Sequence, residues 1–234
     1  MKRIIFVLCV SLLTQASFAQ ISNTNDRANV WGDITKSPNF TEMQKLNKEL
    51  ADLMYSMYSH QSYNDPQRKT IEEKAIELID KGAYIEITDY HGENRTPLGY
   101  ATMFGYPKLV NKLVAKKANI NSRDYLRRTP LMKAIDNKYT PIPLTEIENL
   151  IKNGADVNAS DLFAETVLVT AVRSCVPERV ELLIKYGADV NLTPENLGHP
   201  PKDKAIDVAM NLDIGYCSSA KDKDKIIEML KKAK

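Results

Sequence analysis

Side chains able to do chemistry are sparse in this 234-residue chain, and none falls in a catalytic spacing. His60, His91 and His199 are its histidines, and they are too scattered to converge as ligands. A metal centre needs several donors at set spacing, so no metal is expected. There is no HExxH, no paired CxxC and no GxSxG. Asp222-Lys223-Asp224 lacks the glycine and the closing glutamate of a calcium loop. Asp89, Asp124 and Asp161 recur at intervals that could suggest carboxylate catalysis. Recurrence argues instead for a repeated turn, in which an Asp side chain accepts hydrogen bonds from the backbone just ahead of it. The expectation is a chain with no catalytic residues and no cofactor.

The first nineteen residues resemble a processing segment rather than part of a fold. Lys2 and Arg3 precede an apolar run from Ile4 to Leu13, and Ser17-Phe18-Ala19 supplies small residues at a cleavage site. This is the secretory signal pattern, with an apolar run too short to span a bilayer. Residues 1–19 are therefore expected to be removed, leaving a periplasmic or secreted protein that starts at Gln20 and has no membrane anchor. Cleavage takes away two cations and no acid, so Lys+Arg falls from 32 to 30 against 30 Asp+Glu. A nucleic-acid binder needs an excess of cations to displace counterions from phosphates, and none remains. Cys175 and Cys217 survive cleavage. In an exported chain such a pair permits a disulfide; two separate buried thiols are the alternative.

The elements that must position these residues come from a phrase stated four times. It reads Lys81-Gly82-Ala83-Tyr84-Ile85, Lys117-Ala118-Asn119-Ile120-Asn121, Gly154-Ala155-Asp156-Val157-Asn158 and Gly187-Ala188-Asp189-Val190-Asn191. The alanines are 35, 37 and 33 residues apart, a period that marks stacked repeats. Within one copy, Thr129 caps a short helix opened by Pro130 and carrying Leu131, Ala134 and Ile135. A second helix runs from Leu144 to Lys152 with Ile147, Leu150 and Ile151 on one face, and Gly154 stops it in the left-handed conformation. The copies at Asp89–Arg123 and Asp161–Leu192 read alike. Upstream, Thr41 with Gln44 forms a capping-box pattern ahead of the stripe Met43, Leu46, Leu50, Leu53, Met54 and Met57. Asp65-Pro66 opens a further helix burying Ile71, Ala75, Leu78 and Ile79.

This organisation resembles the ankyrin repeat. Thr129-Pro130-Leu131, Ala134, Gly154-Ala155-Asp156-Val157-Asn158 and Asp161 follow its pattern in order and spacing over about residues 70–234. The resemblance implies an all-α helical solenoid of about four to five repeats. Residues 20–36 are expected to be a flexible lead-in. The domain covers 37–234: a capping helix pair at 37–88, repeats at 89–123, 124–160 and 161–193, and a divergent last repeat at 194–234. The His that usually follows Thr-Pro-Leu is replaced by Gly99, Met132 and Val169, so the inter-repeat hydrogen bonds it makes are missing. Insertions fall around 139–143, 195–203 and 213–224, and the last helix is expected over Lys225 to Lys232.

The family places binding residues on its turn tips and on the inner face of the first helix of each repeat. Here the tip positions hold Tyr90-His91, Tyr125-Leu126 and Leu162-Phe163, where solvated turns usually hold small polar residues. Met103 and Phe104 occupy the inner-helix position, matched by Asp136-Asn137 and Arg173-Ser174. Arg95, Arg128 and Glu165 precede the capping threonines. An exposed apolar stripe marks an interaction site. Tyr90, His91, Arg95, Met103, Phe104, Tyr125, Leu126, Arg128, Leu162, Phe163 and Arg173 are therefore the expected partner-binding residues. The partner is another protein, bound by a chain that is monomeric when free. For an exported bacterial protein of this family, the resemblance implies one of two roles, a periplasmic scaffold or stress-related partner, or an immunity protein that neutralises a toxin delivered to the periplasm; a small domain with a signal sequence and no chemistry suits the second. An enzyme with a cryptic site in the last repeat's insertions is the further alternative. The repeat register also puts Cys175 and Cys217 in neighbouring inter-helix turns, within bridging reach unless the insertion turns Cys217 away.

Overall fold

The structure is a computed structural model that describes residues 38–60, 62, 64–88, 93–137, 141–194, 203–213, 215 and 217–233. The expected signal segment (1–19), the lead-in (20–36), Asp89, Tyr90, His91, His199 and parts of the insertions lie outside the described residues. The chain divides into Met1–Lys45 and Leu46–Lys234. The first unit contributes the start of one helix, and the second carries the repeats.

The described residues form ten helices in five consecutive pairs: α1 (Pro38–Ser56) and α2 (Gln67–Asp80), α3 (Pro97–Phe104) and α4 (Pro107–Ala115), α5 (Pro130–Asp136) and α6 (Leu144–Lys152), α7 (Val167–Ser174) and α8 (Pro177–Lys185), α9 (Ala205–Asn211) and α10 (Ala220–Lys232). No strand occurs among them; Ser160 and Thr166 make an isolated bridge. The inner helices pack in the order α3, α5, α7, α9, and the outer ones in the order α2, α4, α6, α8, α10. The result is a two-layer helical solenoid, as the repeats predict.

Local chemistry sets the helix ends. Thr96, Thr129 and Thr166 each accept a hydrogen bond from the backbone N–H three residues on, at 3.2, 3.3 and 3.1 Å, which satisfies a donor the helix cannot. The repeated phrase is a helix stop. Gly82, Gly154 and Gly187 take φ of +104, +96 and +85°, and Ala83, Ala155 and Ala188 donate back to Leu78, Leu150 and Leu183. Two helices start earlier than the sequence suggests. α1 begins at Pro38, so Thr41 lies inside it. α10 begins at Ala220 because the Ser219 hydroxyl accepts from Asp222 N–H, a cap that shortens the expected insertion.

The core is a continuous apolar seam between the layers. Leu131 and Leu150 are buried as expected, Leu168 and Leu183 are buried with them, and Leu50, Met54, Met57, Ile71, Ala75, Leu78 and Ile79 close the seam within the first pair. In place of the histidine bonds, other polar side chains reach across between repeats. Arg68 donates to the carbonyls of Phe104 and Gly105 at the end of α3, both at 2.7 Å. Asn137 donates to Met103 O at 2.9 Å, and Arg179 to Ile135 O and Asn137 O. Glu72 accepts from Lys108 N–H and Leu109 N–H at the start of α4. Each satisfies helix-end groups that would otherwise be orphaned. Beside them, the Asn121 and Asn158 amides each bridge to the next repeat, donating to Gly154 O and Gly187 O while accepting from Asp156 N–H and Asp189 N–H.

Cys175 and Cys217 are bonded, with Cα atoms 5.1 Å apart, inside the range a bridge requires. Cys175 caps the end of α7, and Cys217 lies in the segment joining α9 to α10. The bond ties the last pair to the repeat before it.

Candidate functional site

The turn tips are built from the backbone, and their side chains are left over. In the second tip, Asp124 is buried, and its Oδ1 accepts from Leu126 N–H (3.0 Å) and Arg128 N–H (2.8 Å). In the third, Asp161 Oδ1 accepts from Phe163 N–H (2.8 Å) and Glu165 N–H (3.0 Å). These aspartates hold turns, as their spacing implies. Neighbouring tips are then sewn together by main-chain bonds: Tyr125 N–H donates to Glu93 O at 3.0 Å, and Leu162 N–H to Leu126 O at 2.7 Å. Asn94, Arg127 and Ala164 occupy the same left-handed position in successive tips, with φ of +53, +60 and +59°.

Three apolar side chains stand out from this scaffold. Tyr125 is 51% exposed, Leu162 41% and Phe163 53%, with Leu126 half-buried among them. The inner-helix positions divide in two. Met103, Asp136 and Arg173 reach the surface, whereas Phe104, Asn137 and Ser174 are buried. Consecutive helical residues point about 100° apart, so only the first of each pair faces outward. Phe104, expected as a binding residue, is instead core: its ring lies 4.8 Å from Tyr58 and 6.0 Å from Tyr100.

Arg95 is also drawn inward. It is 6% exposed, pairs with Glu93 and faces Asp124 at 3.8 Å. Its guanidinium sits 5.5, 5.9 and 6.0 Å from the rings of Tyr58, Tyr100 and Tyr125, a cation among aromatic faces. Tyr58 donates to Glu93 at 2.6 Å, and Lys133 donates to Asp124 at 2.5 Å. Burial pulls the Lys133 ammonium below the usual lysine range, while the Asp124 carboxylate pushes it back up. This buried cluster is the floor under Tyr125. The other two expected charges pair between tip and inner helix in opposite senses, Arg128 to Asp136 at 3.0 Å and Arg173 to Glu165 at 3.2 Å.

Tyr125, Leu126, Leu162, Phe163, Met103, Arg128 and Arg173 are therefore at least partly accessible, Arg95 and Phe104 are buried, and Tyr90 and His91 are outside the described residues. Sequence reasoning missed Arg123 and Arg127. Both sit on the second tip, and the local signal was an arginine in the left-handed position where the family pattern has glycine. A hollow of about 20 Å³ lies beside the third tip, lined by Ala164, Glu165, Val169, Arg173, Asp203 and Val208. It has room for about one water. No group of His, Cys, Asp and Glu that could hold a metal occurs among the described residues, and no described helix is long and apolar enough to cross a membrane.

A family model described as Ankyrin repeats (3 copies) matches residues 98–194. Residues 98–194 are ankyrin repeats. The stretch is similar to Ankyrin repeat and SOCS box protein 6 of Pongo abelii (31% identity over 107 residues, 43% of this chain and 25% of that protein) and of Homo sapiens (30% over 107 residues, the same shares). It is also similar to the ankyrin repeat protein FPV031 of Fowlpox virus (33% over 128 residues, 53% of this chain and 36% of that protein). The chain spans between a quarter and about a third of these relatives' length. Ankyrin arrays are protein-interaction modules whose stacked units present an extended surface. In this ankyrin stack the turn tips carry the exposed Tyr125, Leu162 and Phe163.

Proposed function

We propose that this protein is an exported interaction module that binds a partner protein through its tip face. The observation that carries the reading is the exposure of Tyr125, Leu162 and Phe163 on turns whose folding rests on main-chain bonds and buried aspartates. Large aromatics held rigid by such a scaffold are the usual anchors of interfaces. Export is supported by the secretory pattern at the start of the chain and by the Cys175–Cys217 bond, because disulfides persist in oxidising compartments. In the sharper form of this reading the partner is a toxin reaching the same compartment, and the chain neutralises it by occlusion. A scaffold role differs only in what is bound.

The test is a Tyr125→Ala, Phe163→Ala double variant. Exposed positions change stability by about 0.5 kcal/mol or less each, so its melt should match that of the parent. Anchor aromatics cost about 2 kcal/mol or more apiece, so the envelope protein that co-purifies with the parent should be lost. A variant that melts much earlier would place these rings in the core. One that retains its partner would move the interface elsewhere. The identity of the co-purified protein separates toxin from scaffold.

A further inference from the structure

We infer that the partner presents an acidic group set among apolar side chains, and that Arg127 reads it. This rests on the tip face being the docking surface, and it specifies what docks there. The argument is one of charge left over. The acids around the tips are nearly all answered within the chain: Glu93 by Arg95, Asp124 by Lys133, Asp136 by Arg128 and Glu165 by Arg173. Asp161 is buried, with its Oδ1 turned to backbone N–H groups. The cations are not all answered. Among the described residues, the Arg123 guanidinium donates to the carbonyl oxygens of Ser160 and Arg127 and has no ion pair. Arg127 is exposed, and among the described residues its guanidinium has no hydrogen bond or ion pair.

Arg127 therefore stands as an unanswered positive charge two residues from Tyr125, on the tip joined by a main-chain bond to that of Leu162 and Phe163. Its guanidinium offers a fork suited to a carboxylate held by two parallel bonds. A basic or strongly cationic partner would meet Arg123 and Arg127, while the exposed Asp136 is already paired with Arg128. The residue also occupies a conformation that disfavours side chains, at φ +60°. Glycine would sit there without strain. Asn94 and Ala164 take the same conformation in the neighbouring tips, so the turn accepts a side chain here, and Arg127 is the one of the three that carries a charge.

Glycine at 127 supplies a control that separates binding from folding. The probes are random dodecapeptides displayed on phage and selected on the full mature chain. Peptides that require Phe163, by loss of binding to Phe163→Ala, are then resynthesised with Asp and Glu changed to Asn and Gln. The expected result is enrichment of Asp or Glu next to apolar residues and a tenfold or greater loss on neutralising the peptide. Arg127→Gly should show a similar loss while melting at or above the parent's temperature, and binding should weaken as salt is raised. Selected peptides that require Phe163 but carry no acidic bias, or bind Arg127→Gly as well as the parent, would overturn the acidic-partner inference and leave the docking face standing. A selection that yields no Phe163-dependent peptide would overturn both.

Discussion

Removing the Cys175–Cys217 bond should loosen the last helix pair before anything else. The bond closes 42 residues of chain, and the chain-entropy relation gives about 4 kcal/mol for a loop of that size. The last pair has little else to hold it. Its buried apolar residues are Ala205, Val208, Ala209, Ile226 and Leu230, two of them alanines. Its described ion pair to the preceding repeat, Lys225 to Glu178 at 3.5 Å, is solvent-exposed on both sides and is worth under about 1 kcal/mol. End units of a repeat array contact one neighbour and open independently. In a Cys175→Ser, Cys217→Ser variant, hydrogen exchange across 205–232 should therefore quicken by orders of magnitude, with α3 to α6 little changed. If the whole stack instead melts as one unit, the same loss lowers Tm by about 8–16 °C for a chain of this length. The measurement is exchange mass spectrometry at neutral pH on parent and variant. Equal protection of 205–232 in both, with an unchanged melt, would refute the view that the bond stabilises this end.

The core and the outer face supply two more tests. Leu150→Ala should cost about 2–5 kcal/mol, since the residue is fully buried between repeats and leaves both lost transfer energy and a cavity; urea unfolding reads it. On the outer face, Tyr186 and Lys185 donate to Glu148 and hold its carboxyl down at about 2 from an ordinary 4.5. A depressed carboxyl stabilises the fold above its unfolded value and loses that contribution as the pH falls towards its folded one. Glu148→Gln should accordingly be less stable than the parent at pH 7, and the two should converge as the pH falls from about 4.5 to about 2. A gap that stays constant over that range would count against the pairing.

The parts of this fold legible in sequence were those set by neighbours along the chain. Thr129-Pro130, the glycine stops and the leucine spacing each act within one turn of helix, so reading them in order was enough. The inter-repeat bonds of Arg68, Asn137 and Arg179 join residues 34 to 44 apart. Nothing near them in sequence marks a side chain that will reach a carbonyl on another repeat. The site divides the same way. Register placed Tyr125, Leu162 and Phe163 at exposed tips because the tips repeat. It failed for Phe104 because the second residue of each inner-helix pair turns inward, as Asn137 and Ser174 also do, and for Arg95 because it meets Tyr58, which belongs to the capping pair and has no counterpart in the repeats.

The tips folded by main-chain bonds give this protein a rewritable surface. Asp124 and Asp161 bind N–H groups, and Tyr125 and Leu162 bond to their neighbours through their own backbones. Most L-residues can make those bonds. The fold therefore places little demand on which side chains occupy 125, 126, 162 and 163, and selection by a partner can act on them with folding nearly undisturbed. A chain built this way can follow a changing partner by altering four neighbouring positions while its core stays fixed. A library randomised at those positions should consist largely of folded members.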